Sequence, residues 1–237
     1  MAADATASPV TTLAVECEGV SRRFGSGPTA VEAVHDVSCR IPPSARIALM
    51  GPSGSGKSTL LHLLAGLDSP TVGEVRWPLL QKDGLGRPAG IGVVFQGPSL
   101  LPTLDVIENV ALPLLIAGQP ETTAMQRAAA ALDLVEIGEL AAKLPSELSG
   151  GQAQRVAVAR VLASRPSVIL ADEPTGRLDH RTGNQVISVL LDTAASLDAA
   201  LIIATHDAAV ADRLTDRWMI HDGRLDTSSC CEQSAPC

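Results

Sequence analysis

The chain has 237 residues, of which 46% are hydrophobic, and its formal net charge at pH 7 is −8. This length and apolar content suffice for a buried core, so we expect a folded globular protein. The acidic balance argues against a general nucleic-acid surface, because binding a phosphate backbone requires clustered Lys and Arg, and we expect no nucleic-acid partner.

The first segment, residues 1–12, has no Lys or Arg and no apolar core, so it lacks both parts of a secretory signal. The longest stretch that resembles a membrane segment, Leu60 to Leu67, is interrupted by His62. It is far shorter than the roughly 20 residues that a spanning helix needs. We therefore expect a flexible N-terminal segment, no membrane-spanning helix and a cytoplasmic location.

Alternating apolar and polar residues characterise the next part of the chain, from Leu13 to Cys17 and again from Val31 to Ile41. This alternation predicts short antiparallel strands with one solvated face. A further strand-like segment, Arg46 to Met50, leads directly into a glycine-rich turn.

That turn matches the phosphate-binding pattern G-x-x-x-x-G-K-S/T between a predicted strand and a predicted helix. Its glycines let backbone N–H groups point at phosphate oxygens, and the helix N-terminus adds positive potential. Lys57 is expected to reach the β- and γ-phosphates of a bound nucleotide, and the Ser58 hydroxyl to bind Mg²⁺. The alternative is a Gly/Ser-rich turn without a ligand. The predicted nucleotide-binding residues here are Gly51, Pro52, Ser53, Gly54, Ser55, Gly56, Lys57, Ser58 and Thr59.

Three later runs are short, rich in β-branched residues and nearly continuously apolar: Ile91 to Phe95, Val168 to Ala171 and Leu201 to Thr205. This is typical of parallel strands that are buried on both faces, and we expect them to form a central sheet. Between them, Glu121 to Val135 and Gln152 to Ala163 have a helix-favouring composition, which predicts a mostly helical subdomain.

Two adjacent carboxylates, Asp172 and Glu173, follow the second of these apolar runs. Side chains alternate in direction along a strand, so the two acids are predicted to have different tasks. Asp172 is expected to face the Mg²⁺ ion and Glu173 the attacking water. Taken alone, the six residues from Val168 to Glu173 are also compatible with a solvated strand end.

The sequence Leu148-Ser149-Gly150-Gly151-Gln152 precedes the second predicted helix. Ser149 suits a helix N-cap. Glycines at a helix start also expose N–H groups to an anion. The pentapeptide alone therefore leaves open a cap with a flexible glycine pair or a second phosphate-binding site.

This pentapeptide resembles the signature sequence of ABC transporter ATPases, and it lies between the phosphate loop and the acidic strand, as it does in that family. The resemblance extends from about Leu13 to Leu225. It implies an α/β fold with a P-loop NTPase core, a mostly parallel sheet, an N-terminal antiparallel β subdomain and a helical subdomain near residues 98–165. The ATPase domain would span residues 13–227 and hydrolyse ATP with Mg²⁺.

The resemblance also implies roles for single residues that are weak indicators alone. Gln96 is similar to the family's Q-loop glutamine, Asp179 to its D-loop aspartate and His206 to its switch histidine, while Phe24 is similar to the aromatic residue that stacks on adenine. Each has a purely structural alternative, such as a turn cap for Asp179. The implied catalytic residues are Glu173, His206 and Gln96; the implied Mg²⁺ ligands are Ser58, Gln96 and Asp172; and the implied nucleotide contacts include Phe24, Ser149, Gly150, Gly151, Gln152 and Asp179.

The stretch from Gln96 to Pro113 resembles the macrolide-export and lipoprotein-release branch, which implies export or mechanical transmission more than import. Family membership further implies a head-to-tail dimer and docking on an integral membrane permease at the cytoplasmic face of the membrane. The alternative is a soluble ABC-type ATPase without a transport role. Against a DNA-repair relative, only residues 60–147 separate the phosphate loop from the signature, which leaves no room for a long coiled coil.

The last ten residues, 228–237, contain Cys230, Cys231 and Cys237 beside three serines. No His and no C-x-x-C in this segment completes a metal-ligand set. We expect a flexible tail, with a metal or redox site as the alternative.

Overall fold

The computed structural model describes residues 12–82, 86 and 88–227. The tail expected at residues 228–237, and all but one residue of the segment expected at residues 1–12, lie outside the described residues. The strands are β1 (Val15–Phe24), β2 (Val31–Ile41), β3 (Arg46–Met50), β4 (Val72–Arg76), β5 (Ile91–Val94), β6 (Val168–Asp172), β7 (Ala200–Ala204), β8 (Asp216–His221) and β9 (Arg224–Asp226). The α-helices are α1 (Lys57–Leu64), α2 (Val106–Ile116), α3 (Glu121–Leu134), α4 (Gly150–Ala163), α5 (His180–Ser196) and α6 (Ala208–Ala211).

A three-stranded antiparallel sheet in the order β2-β1-β4 contains the N-terminal strands. The strands are not short as predicted, because β1 has 10 residues and β2 has 11. The register of β1 and β2 shifts at three places between Cys17 and Arg23, and pairing resumes after each shift. Such bulges bend and twist a strand, so that a long pair can continue. Leu13, predicted to be the first strand residue, precedes β1.

The central sheet has the order β5-β6-β7-β3-β8-β9, and all neighbours pair in parallel except the β8–β9 hairpin. Successive residues of β6 enter different apolar clusters: Ile169 packs with the helices α2 to α5, and Leu170 packs with α1 and the antiparallel sheet. A strand with apolar neighbours on both faces reads as a continuous apolar run, which confirms the predicted mostly parallel sheet.

Helices α2, α3 and α4 pack around small and branched side chains on one face of the sheet. The sequence did not predict α2, which contains Pro113. Proline is unfavourable inside a helix, but Pro113 lies in the last turns, and a capping box at Asp105 and Glu108 stabilises the other end. Over the described part of the chain, no helix is both long and apolar enough to cross a membrane.

Candidate nucleotide site

Four strand ends meet at one edge of the central sheet. The phosphate loop follows β3, Gln96 follows β5, Glu173 follows β6 and His206 follows β7, and these four parallel strands are consecutive neighbours. The crevice beyond the carboxyl ends of parallel strands is where α/β folds bind ligands. Residues that are distant in sequence are therefore brought to one place by the strand order.

Two backbone hydrogen bonds tie these strand ends together. The N–H of Glu173 donates to the carbonyl of Ala204 at 2.9 Å, and the N–H of Thr205 donates to the carbonyl of Leu49 at 3.1 Å. The acidic segment is thereby fixed to the end of β7, and the segment before His206 is fixed to the end of β3.

Lys57 is the first residue of α1, and its side chain is buried. Its Nζ donates to the carbonyl oxygens of Gly51 at 2.8 Å and Pro52 at 3.0 Å. Among the described residues, no carboxylate forms an ion pair with this ammonium group. A buried cation that is held only by carbonyl dipoles is suited to an anionic ligand.

The phosphate loop lies directly against its neighbouring strands. A Cβ atom on Gly56, whose φ is +104°, would stand 2.2 Å from the carbonyl oxygen of Ala33, and a Cβ on Gly51 would stand 2.2 Å from that of Ile220. The hydroxyl of Ser55 is buried and has no hydrogen-bond partner in the described structure. An unmet buried hydroxyl costs about 1–3 kcal/mol, so the loop offers a polar group that a phosphate oxygen would satisfy.

Asp172 and Glu173 differ in their surroundings, but not for the reason predicted. Asp172 is the last residue of β6 and is buried. Glu173 lies beyond the strand in a left-handed conformation with φ of 45°, so strand alternation does not determine its direction. A non-glycine residue in this conformation is strained and is commonly found at functional sites.

Glu173 contacts His206 across the sheet edge. The distance between Glu173 Oε1 and His206 Nδ1 is 3.2 Å, and the side chains are 19% and 71% exposed, respectively. Both residues line a cleft of about 130 Å³, together with Asp179. The structure thus brings together three of the residues that the sequence singled out.

Asp179 forms the N-cap of α5. Its Oδ1 accepts hydrogen bonds from the N–H groups of Arg181 and Thr182, each at 3.0 Å. The bonds from Thr182, and to a lesser degree that from Arg181, lower the pKa of the Asp179 carboxyl. The capping role foreseen as an alternative is therefore present, in a side chain that also faces the cleft.

The signature pentapeptide forms a capping box at the start of α4. The Oγ of Ser149 accepts from the N–H of Gln152 at 3.2 Å, and the Oε1 of Gln152 accepts from the N–H of Ser149 at 2.8 Å. Ser149 and Gly150 are exposed, and neither lines the Glu173–His206 cleft. The predicted cap is confirmed, and the predicted phosphate contact at this helix end stays a prediction.

Gln96 is exposed, and α4 holds the backbone on both sides of it. The Nε2 of Gln154 donates to the carbonyl of Phe95 at 3.1 Å, while the guanidinium of Arg160 donates to Pro98 at 3.2 Å and to Ser99 at 3.0 Å. The backbone on both sides of Gln96 is therefore hydrogen-bonded to α4.

The three predicted Mg²⁺ ligands lie at neighbouring strand ends. Ser58 is the second residue of α1, after β3; Gln96 lies two residues beyond β5; and Asp172 is the last residue of β6. Across the described ranges, no group of three or more His, Cys, Asp or Glu side chains could hold a metal ion. Mg²⁺ commonly uses one or two carboxylates together with substrate phosphates and waters, so a single carboxylate with a hydroxyl and an amide fits its chemistry.

Phe24 ends β1, pairs with Val31 of β2 and is 43% exposed. Sequence reasoning missed Arg22, whose guanidinium carbon lies 4.6 Å from the centre of the Phe24 ring. The spacing of two residues along a strand, which places side chains on one face, was the available signal.

A family model, sequence relatives and solved structures all match this chain to the same family. The model of the ABC transporter family matches residues 34–176, more than half of the chain. The chain is 42% identical over 212 residues to the lipoprotein-releasing system ATP-binding protein LolD of Legionella pneumophila (strain Paris), with 86% of this chain and 93% of the relative covered. It is 38% identical over 218 residues to the protein of the same name from Pseudomonas syringae pv. tomato, covering 89% and 96% of the two chains.

Among solved structures, the ATP-binding cassette MJ0796, determined as a dimer in a post-hydrolysis state bound to ADP and Pi, is similar with a TM-score of 0.80 and 33% identity. The match covers 90% of this chain and 96% of that one. The chain belongs to the ABC transporter family, as an ATP-binding domain of the ATPase type.

Proposed function

We propose that this chain is the ATP-hydrolysing subunit of an export or mechanotransmission transporter, and that two copies act as a head-to-tail dimer around two ATP molecules. The observation that carries the proposal is the convergence of Lys57, Glu173 and His206 at the carboxyl edge of four adjacent parallel strands. The exposed, capped end of α4, outside that cleft, supports the dimeric form.

ATP binding rests on the phosphate loop and on Phe24. The loop amides, the Lys57 ammonium and the unpartnered Ser55 hydroxyl together provide donors for several phosphate oxygens. The exposed Phe24 ring provides an apolar face for the base. Ser58, Gln96 and Asp172 would hold Mg²⁺, which supplies positive charge to the phosphates when bound.

Hydrolysis depends on Glu173 and His206. In the proposed mechanism, the Glu173 carboxylate accepts a hydrogen bond from the attacking water and orients it or takes its proton. Because Nδ1 of His206 is engaged by Glu173, its Nε2 remains for a contact with the γ-phosphate. Asp179, which lines the same cleft, would couple the two sites of the dimer.

The dimer would bring Ser149 to Gln152 of one copy onto the nucleotide bound by the phosphate loop of the other. The exposed start of α4 offers N–H groups to an anion, and its capping box keeps the first turn ordered. The similarity to a cassette solved as a dimer with ADP and Pi supports this arrangement.

Transmission to a membrane subunit would use the surface from Leu100 to Pro113. Leu101 is exposed there, and Arg160 of the signature helix binds the backbone of Pro98 and Ser99 just before it. Closure of the dimer would move this surface and pull a docked permease at the cytoplasmic face of the membrane. The similarity to ATP-binding proteins of lipoprotein-releasing systems supports this type of transporter.

The test is to purify the tagged chain from detergent-solubilised membranes and to measure ATP hydrolysis of the isolated material. We expect copurification of an integral membrane protein and hydrolysis of ATP without a phosphate acceptor. Lys57→Ala should abolish hydrolysis and keep the membrane partner. Active ATPase found only in the soluble fraction, with no integral membrane partner, would instead support the soluble ABC-type ATPase.

A further inference from the structure

The ring of Phe24 is covered on one side by Arg22. Both residues belong to β1, and their spacing of two places them on the same face of the strand. The distance of 4.6 Å from the guanidinium carbon to the ring centre is within the range of a cation–π contact. Phe24 as a residue is nonetheless 43% exposed, so it still offers apolar surface to a ligand.

Arg22 is itself held by the segment that follows the phosphate-loop helix. Its Nε donates to Asp68 Oδ2 at 2.8 Å, and both side chains are partly buried. Asp68 lies four residues beyond Leu64, the last residue of α1. The N–H of Thr71 adds a second link to β1 by donating to the carbonyl of Ser21 at 2.8 Å. The contact chain from Phe24 through Arg22 therefore ends at Asp68, whose own N–H donates to the carbonyl of His62 in α1 at 3.3 Å.

Strand β2 provides a second connection between Phe24 and the phosphate loop. Phe24 pairs with Val31, whose side chain is 63% exposed, and two residues further on the carbonyl of Ala33 lies against Gly56 of the phosphate loop. Residues two apart on a strand are at most about 7 Å apart, so the backbone partner of Phe24 lies close to the residue that contacts the loop. The ring and the phosphate loop are thus joined through β2 on one side and through Arg22 and Asp68 on the other.

We propose that Arg22 is a positioning residue for the base of the bound nucleoside triphosphate. It fixes the orientation of the Phe24 ring through the cation–π contact and fixes the distance of that ring from the phosphate loop through Asp68. An ordered platform binds the base without the entropic cost of immobilising the ring on binding. The inference rests on the proposed nucleotide-binding function and adds a residue to it.

The test separates the base from the phosphates by comparing ATP with tripolyphosphate, which has no base. Arg22→Ala should raise the KM and Kd for ATP about three- to tenfold, the effect expected from a lost cation–π contact, and leave kcat unchanged. Tripolyphosphate should inhibit the variant as well as it inhibits the original protein. Arg22→Lys keeps the charge opposite Asp68 but loses the planar group. Its KM and Kd for ATP should lie between those of the original protein and those of Arg22→Ala.

Arg40→Ala is the matched control, because Arg40 is also a strand arginine of the antiparallel sheet and pairs with Glu16 at 3.1 Å. It should leave ATP and tripolyphosphate binding unchanged. Equal weakening of both ligands by Arg22→Ala, unchanged ATP binding, or tighter ATP binding would each overturn the inference.

Phe24→Ala distinguishes this failure from that of the proposed function. If Phe24→Ala weakens ATP and Arg22→Ala does not, Arg22 has no positioning role and the base site stands. If Phe24→Ala also leaves ATP binding unchanged, the base site itself is wrongly placed and both proposals about it fail.

Discussion

The Nδ1 atom of His206 lies 3.2 Å from Oε1 of Glu173, although 33 positions separate the two residues along the chain. The contact exists because β6 and β7 are parallel neighbours and because Glu173 departs from the strand direction immediately after Asp172. A largely exposed imidazole and a mostly buried carboxylate then face one cleft. This pair determines the first two predictions.

Replacing Glu173 by Gln should leave ATP binding intact and slow turnover by about 10²- to 10⁴-fold, the usual contribution of a general base. Glutamine has the same shape and keeps a hydrogen-bond acceptor, so the fold should not change. Phosphate release and nucleotide binding measured on the same preparation check this expectation. Hydrolysis at the original rate would show that Glu173 has no part in the reaction.

Replacing His206 by Ala should reduce turnover by about 10- to 1000-fold through the loss of one contact to the γ-phosphate. The side chain is 71% exposed, so its removal should change the free energy of unfolding by no more than about 0.5 kcal/mol. The thermal unfolding temperature should therefore stay nearly unchanged, while the rate of phosphate release should fall. A variant that loses stability and activity in parallel would indicate a structural role for His206.

Replacing Gly56 by Ala should abolish tight ATP binding, because the new Cβ would stand 2.2 Å from the carbonyl oxygen of Ala33. Gly118→Ala is the control, since Gly118 also has a positive φ, +79°, but nothing within 4 Å of its added Cβ. Both variants should lose about 1–2 kcal/mol from the left-handed backbone. Gly56→Ala should lose more because of the added clash, and only Gly56→Ala should lose ATP binding. Normal binding by Gly56→Ala would contradict the proposed course of the phosphate loop.

Replacing Ser149 by Ala should lower the free energy of unfolding by about 1 kcal/mol through the loss of the α4 cap. The matched variant Asp105→Ala removes the corresponding cap of α2, where Asp105 Oδ1 accepts from Glu108 N at 2.9 Å. When turnover is measured on the isolated chain, without the membrane subunit proposed to dock at Leu100 to Pro113, the two variants should be equally destabilised, but only Ser149→Ala should impair turnover. Equal turnover in the two variants would mean that the signature serine acts as a cap alone.

The sequence predicted best those features whose signal is local. The phosphate loop is a continuous stretch from Gly51 to Thr59, and the apolar run before Asp172 is explained by two packed faces of one strand. The cap at Ser149 was also foreseen, because the N-cap and its partner Gln152 are three residues apart.

Features that depend on distant contacts were missed. Helix α2 contains Pro113, whose propensity opposes a helix, but burial of Val106, Val110 and Leu114 outweighs that cost. The conformation of Glu173 was not predicted, because its bond to the carbonyl of Ala204 requires the neighbouring strand.

Arg22 shows the same limit at the candidate site. Its partner Asp68 is 46 positions away in the chain, in the segment between α1 and β4. The expectation that Phe24 stacks on adenine rested on resemblance. The pairing of Phe24 with Val31, by contrast, follows from the register of β1 and β2.

The shared nucleotide site exists only if two copies of the chain close around ATP. Light scattering of Glu173→Gln, which should bind ATP without turning it over, measures this directly in the presence of ATP or ADP. We predict twice the monomer mass with two ATP molecules per dimer, and the monomer mass with ADP. A monomer that binds ATP at saturating concentration would contradict the shared site and, with it, the proposed role of Ser149 to Gln152.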